Sequence, residues 1–108
     1  MASTFMNETL ARYQKMVEQF PDNELARFSL GKAYYDLGQF GDAKEQFELA
    51  ISRKPDWMAV QILLGKCAVA LGESATARLA FERARLLAIE QNHEGPLAEV
   101  EQLLRDIG

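Results

Sequence analysis

The sequence predicts an all-α chain, a right-handed superhelix of stacked helical hairpins with about six helices. Three observations predict it. Residues 24–57 laid over residues 58–91 give nine identities in 34 positions, from Leu30/Leu64 and Gly31/Gly65 to Phe47/Phe81 and Ala50/Ala84. Within each unit apolar residues recur at three- and four-residue steps, the period of an amphipathic helix. Glycine ends the first helix of each unit at matching phase, at Gly38 and Gly72, and Pro55 closes the first unit. A repeat of this period means a unit that cannot bury its apolar face alone and stacks on its neighbours to do so.

The elements follow in order. Residues 4–20 read as one helix, because Pro21-Asp22 stands 34 residues before Pro55-Asp56 and Tyr13 stands 34 before Phe47. This is the second helix of a leading half repeat, residues 4–23. The first full repeat, 24–57, opens with Leu25, Phe28, Leu30, Ala33, Tyr34 and Leu37 on one helix, which Gly38 ends at a C′ position. A second helix begins near Phe40, carries Ala43, Phe47, Ala50 and Ile51, and is stopped by Pro55. Asp56 is the expected N-cap of the next helix. The second repeat, 58–91, runs to Leu71, breaks at Gly72 and resumes near Ser74 through Ala77, Phe81, Ala84 and Leu87. Gly95-Pro96 is read as a break, followed by a helix over 95–107 with Leu97, Val100, Leu103, Leu104 and Ile107 in one stripe. Glu99, Glu101, Arg105 and Asp106 lie opposite, as on the polar outer face of a solenoid cap. Gly31 and Gly65 lie mid-helix, at a cost of about 1 kcal/mol each relative to Ala. Such glycines predict that another helix crosses closely there.

Composition fits one small domain of 108 residues, 48% hydrophobic and 26% charged. Lys and Arg number 12 against 16 Asp and Glu, a net charge of -4. An acidic chain without a basic block is not expected to bind nucleic acid, because phosphate contacts need clustered cations. The charge is uneven: residues 1–89 are neutral, and the whole excess lies in residues 90–108, where Glu90, Glu94, Glu99, Glu101 and Asp106 face only Arg105. No apolar run reaches the length of a membrane span. The start, Met1-Ala2-Ser3-Thr4, reads as neither a secretory leader nor a lipidation motif. With a single thiol this predicts a cytoplasmic protein.

The order Leu30-Gly31, Tyr34, Ala43, Phe47, Ala50, Pro55, repeated as Leu64-Gly65, Ala77, Phe81, Ala84, resembles the tetratricopeptide-repeat family. The family's Trp falls on Arg27 and Gln61, its second Tyr on Ala68, and its second terminal Pro on Ile89. The resemblance implies a non-catalytic scaffold whose first helices line a concave groove for extended peptides or helices of a partner protein. On that face stand Phe28, Lys32, Tyr35 and Asp36 in the first repeat and Ile62, Lys66 and Val69 in the second. Lys32 and Lys66 share one repeat position, flanked by apolar residues, which suits an acidic and apolar partner. Asp36 is placed to pair with Lys32 at i, i+4, whereas Lys66 has no such neighbour on its own helix. The family's carboxylate clamp carries Asn at the two lysine positions and draws on three repeats, so a clamp is not predicted.

Catalysis has no foothold in the sequence: no phosphate loop, nucleophile elbow or metal-ligand spacing is present. No cofactor or metal is expected. Cys67 reads as a small packing residue and His93 as a solvated residue near a helix end. Trp57 reads either as a staple or packing contact at a helix start or as an exposed anchor for a partner. Two alternatives to peptide binding remain open: self-association, with a two-fold homodimer as its simplest form, and a non-catalytic subunit of a larger complex.

Overall fold

The computed structural model describes residues 4–108; residues 1–3, on which the expectation about a leader partly rests, lie outside them. Six helices fill the described residues: α1 (Thr4–Gln19), α2 (Glu24–Asp36), α3 (Phe40–Arg53), α4 (Met58–Ala70), α5 (Ser74–Glu90) and α6 (Glu94–Ile107). They form two compact units dividing after Pro55, one holding α1–α3 and the other α4–α6.

The helix ends show why the repeat recurs. Gly38 and Gly72 take φ +76° and +74°, a conformation that side chains other than glycine's rarely adopt. At α2 the Gly38 N–H donates to Tyr35 C=O at 3.0 Å and the Gln39 N–H to Tyr34 C=O at 2.9 Å. At α4 the Gly72 N–H reaches Val69 C=O at 3.0 Å and the Glu73 N–H reaches Ala68 C=O at 2.8 Å. Both are Schellman closures, which satisfy the last carbonyls of a helix. α5 closes the same way with Asn92 in place of glycine, at φ +55°. The His93 N–H then bonds Ala88 C=O at 2.9 Å.

Two expected boundaries move. Asp56 does not cap α4; Trp57 is the N-cap, without a side-chain bond. Trp57 stands 34 residues after Asn23, whose Oδ1 accepts the Ala26 N–H at 2.9 Å to cap α2. Asp56 is one residue too early to reach the same donors. The break before α6 is at Asn92 rather than Gly95-Pro96, and His93 is the exposed N-cap. Gly95 and Pro96 sit in the first turn of α6, where proline forfeits no helical hydrogen bond.

Each unit buries its own apolar cluster. In the first, Val17, Ala26 and Leu30 are packed by Leu10, Tyr13, Met16 and Tyr34. In the second, Ile62, Ala68, Ala77, Phe81, Ala84 and Val100 are packed by Met58, Leu103, Leu104 and Ile107. Cys67 is fully buried in α4. The close crossings expected at the mid-helix glycines are present. A Cβ built on Gly31 would fall 2.6 Å from Cε1 of Phe47, and one on Gly65 nearer still to the Phe81 ring. Both rings are fully buried. The propensity cost of each glycine is therefore offset by the burial of an aromatic ring against bare backbone.

Candidate functional site

On α2, the four-residue step from Phe28 to Lys32 to Asp36 places these side chains on one face. Lys32 Nζ donates to Asp36 Oδ1 at 2.7 Å, the i, i+4 pair expected, with both side chains about half exposed. The same ammonium lies 5.7 Å from the centroid of the Tyr35 ring. Phe28 leans on Phe47, with centroids 6.3 Å apart, and Tyr35 meets Phe40 edge-on at 5.5 Å. Phe28, Lys32 and Asp36 line a depression of about 240 Å³ whose far wall is Thr9 and Tyr13 of α1. Next to it, Phe5, Met6 and Thr9 of α1 line a second depression of about 230 Å³ with Ala33 and Asp36.

On α4, Lys66 lines a depression of about 300 Å³ with Met58, Ile62 and Leu63, closed by Pro96 and Glu99 of α6. Ile62 is 7% exposed and belongs to the core of this unit, so it forms the floor of the depression rather than a free wall. Tyr35 and Val69 lie outside these depressions; Val69 is open to solvent at 47%. Trp57 is half buried at the start of α4.

The partner that Lys66 lacks on its own helix comes from α6. Its Nζ donates to Glu99 Oε2 at 3.1 Å. Sequence spacing hides this pair, because α5 is 17 residues long where α3 has 14. Consecutive N-caps are 34 residues apart from Asn23 to Trp57 but 36 apart from Trp57 to His93. Aligning the three N-caps sets α6 in register with α2 and α4. That alignment places Val100 at the position of Leu30 and Leu64, and all three are buried. It also places Glu101 where α2 and α4 have Gly31 and Gly65.

Among the described residues no group of three or more His, Cys, Asp or Glu is disposed to hold a metal ion. None of the described helices is long and apolar enough to cross a membrane.

Known proteins share this architecture. A tetratricopeptide-repeat family model matches residues 6–67. The TPR repeat-containing protein PA0015 of Pseudomonas aeruginosa is 39% identical over 88 residues, 82% of each chain. Among solved structures, PcrH in complex with the chaperone binding region of PopD superposes with a TM-score of 0.86 at 19% identity, covering 94% of this chain and 77% of that one. The TPR2B domain of yeast Sti1, in its complex with pHsp70, gives 0.84 at 21% identity, covering 96% and 83%. With the Gly31–Phe47 and Gly65–Phe81 crossings in each hairpin, these matches establish that the chain belongs to the tetratricopeptide-repeat family.

Proposed function

We propose that the chain is a non-catalytic, cytoplasmic protein-interaction module. It takes a peptide or helix of a partner protein on the face of α2 that carries Phe28, Lys32, Tyr35 and Asp36, or on the face of α4 that carries Ile62, Lys66 and Val69. One observation carries the reading: Lys32 and Lys66 occupy the same repeat position, and each lines a depression, mixed beside Lys32, where Tyr13, Phe28 and Ala33 supply the apolar part, and mainly apolar beside Lys66. Their stems cover that apolar surface while the ammonium heads stay hydrated. The complexes of PcrH and Sti1 support it, since each holds a protein partner on the same fold.

The partner's chemistry follows from what the lysines already hold. Lys66 is paired with a carboxylate offered by another helix, Glu99. An incoming ligand with acidic groups beside apolar side chains would offer the same. Exposed ion pairs contribute only about 0–1 kcal/mol each. Affinity therefore comes from the apolar contacts, and the lysines set partner choice and association rate.

Changing both Lys32 and Lys66 to Glu is expected to weaken the acidic partner and to flatten or reverse the salt dependence of binding. The check is a titration of isotope-labelled protein with the partner recovered from the native host. Shift changes confined to the outer faces of α3 and α5 would overturn the reading. A mass that rises with concentration in light scattering, without any partner, would assign the surfaces to self-association instead.

A further inference from the structure

The three-fold recurrence of one helix type shows that α1 leaves half covered a face that its two counterparts bury fully. At 34-residue steps, Thr9, Tyr13 and Met16 correspond to Ala43, Phe47 and Ala50 of α3 and to Ala77, Phe81 and Ala84 of α5. All six of the latter are fully buried, whereas Thr9, Tyr13 and Met16 are half buried. In α3 and α5 these positions include the aromatic ring that seats against the glycine of the hairpin's first helix. α1 is the second helix of a hairpin with no first helix among the described residues. Phe5 and Phe20, exposed at 71% and 57%, continue the same stripe toward the two ends of α1. The depressions that Phe5, Thr9 and Tyr13 line against α2 lie along this stripe. The Thr9 hydroxyl donates to Phe5 C=O at 2.9 Å, so its hydrogen bond is already satisfied within α1.

We infer that this trough is a docking seat for an amphipathic helix of a partner protein, one with a small residue facing Tyr13 and an acidic residue one turn earlier facing Arg12. The proposal rests on the interaction reading above and names its site and the partner's chemistry. The small residue follows from the two crossings already in the chain, where Gly31 meets Phe47 and Gly65 meets Phe81. The acidic residue follows from charge. In the first hairpin, Arg27, one turn before Gly31, donates to Gln46 Oε1 of α3 at 2.9 Å. The position of Gln46 is occupied on α1 by Arg12, which is exposed and has no partner among the described residues. An arginine there repels a second arginine placed like Arg27 and calls for a carboxylate. A second copy of this chain does not meet the requirement with its terminal helix. α6 carries Glu101 at the glycine position and Leu97 at the position of Arg27, opposing bulk to Tyr13 and an apolar group to Arg12.

The test uses the full chain and a probe built from its own first-helix sequence: a capped peptide of residues 23–38 with Arg27→Glu. Saturable binding is expected, with shift changes at Thr9, Tyr13, Met16 and Ala33. Adding Gly31→Leu to the peptide should weaken it about tenfold or more, as overpacking does. Protein with Arg12→Glu, an exposed change that leaves the fold alone, should bind this acidic probe several-fold more weakly and prefer the peptide with native Arg27. Three results would overturn the seat: no saturable binding, shifts lying outside α1 and α2, or equal binding of both peptides by the Arg12→Glu protein. A peptide-free dimer that buries Tyr13 would overturn it too, assigning the trough to a second copy. If the natural partner still depends on Lys32 and Lys66 while the probe fails, the seat falls and the interaction reading stands. If the probe binds but the lysine variant leaves the natural partner unaffected, the lysine surfaces fall and the seat stands.

Discussion

Gly65→Leu is expected to be the most damaging single substitution in the chain. On an exposed helix, replacing glycine adds about 1 kcal/mol of stability through backbone entropy. Here the sign reverses. The new Cβ would collide with the fully buried Phe81 ring, and Gly31 stands in the same relation to Phe47. A ring in a packed core cannot yield, so α4 and α5 must separate and open voids along their contact. Overpacking of this kind costs about 1–3 kcal/mol and sometimes more, a large part of a domain's total of about 5–15 kcal/mol. The thermal midpoint should fall by about 10 °C or more. Gly41→Ala is the control: a Cβ there meets nothing within 4 Å, and no loss is expected. Adding Phe81→Leu to Gly65→Ala should recover part of the loss, a non-additivity that marks direct contact. A melt of Gly65→Leu that matches the parent would overturn the crossing.

Removing α6 should do comparable harm by the opposite route, taking away a wall instead of forcing one in. Val100 is fully buried, and Leu103, Leu104 and Ile107 pack on the cluster of Ile62, Phe81 and Ala84. Each apolar side chain of this size contributes about 1.5–3 kcal/mol when fully buried. A chain ending at Asn92 should therefore lose about 5 kcal/mol or more, bind a hydrophobic dye and aggregate. It also frees Lys66 from Glu99. If the shortened chain stays monomeric and equally stable, α6 is peripheral and its packing contributes nothing.

The fold is legible because the repeat is written in residue types with few substitutes. Glycine at φ near +75° and glycine under a buried ring each leave a mark in sequence, and the 34-residue phase locates both. The same phase locates α1 from Tyr13 and Pro21 alone. What stays hidden is whatever departs from that phase. The longer α5 shifts α6 by two residues relative to the N-caps of α2 and α4, so neither the Lys66–Glu99 pair nor the equivalence of Glu101 with the glycines is visible at a fixed step. The Asn92 turn is masked because glycine and proline three residues on are the stronger punctuation by composition. At the candidate site, helical spacing anticipates the Lys32–Asp36 pair. It does not separate Ile62, taken into the core, from Val69, left in solvent, since burial there depends on α5 and α6 rather than on α4's own period.

Cys67 gives the second unit a chemical reporter. It is the chain's single thiol, and α4 keeps it fully buried. A thiol in apolar surroundings is inert, so an alkylating reagent reaches it only when α4 leaves its place. Under conditions where closing is fast, the labelling rate is the intrinsic thiol rate multiplied by the fraction open, which gives the opening free energy of that segment directly. Labelling that tracks the global denaturant midpoint would mean that α4 yields only with the whole molecule. Labelling well below that midpoint would mean that α4 opens on its own, and its rate would then give the free energy of that local opening.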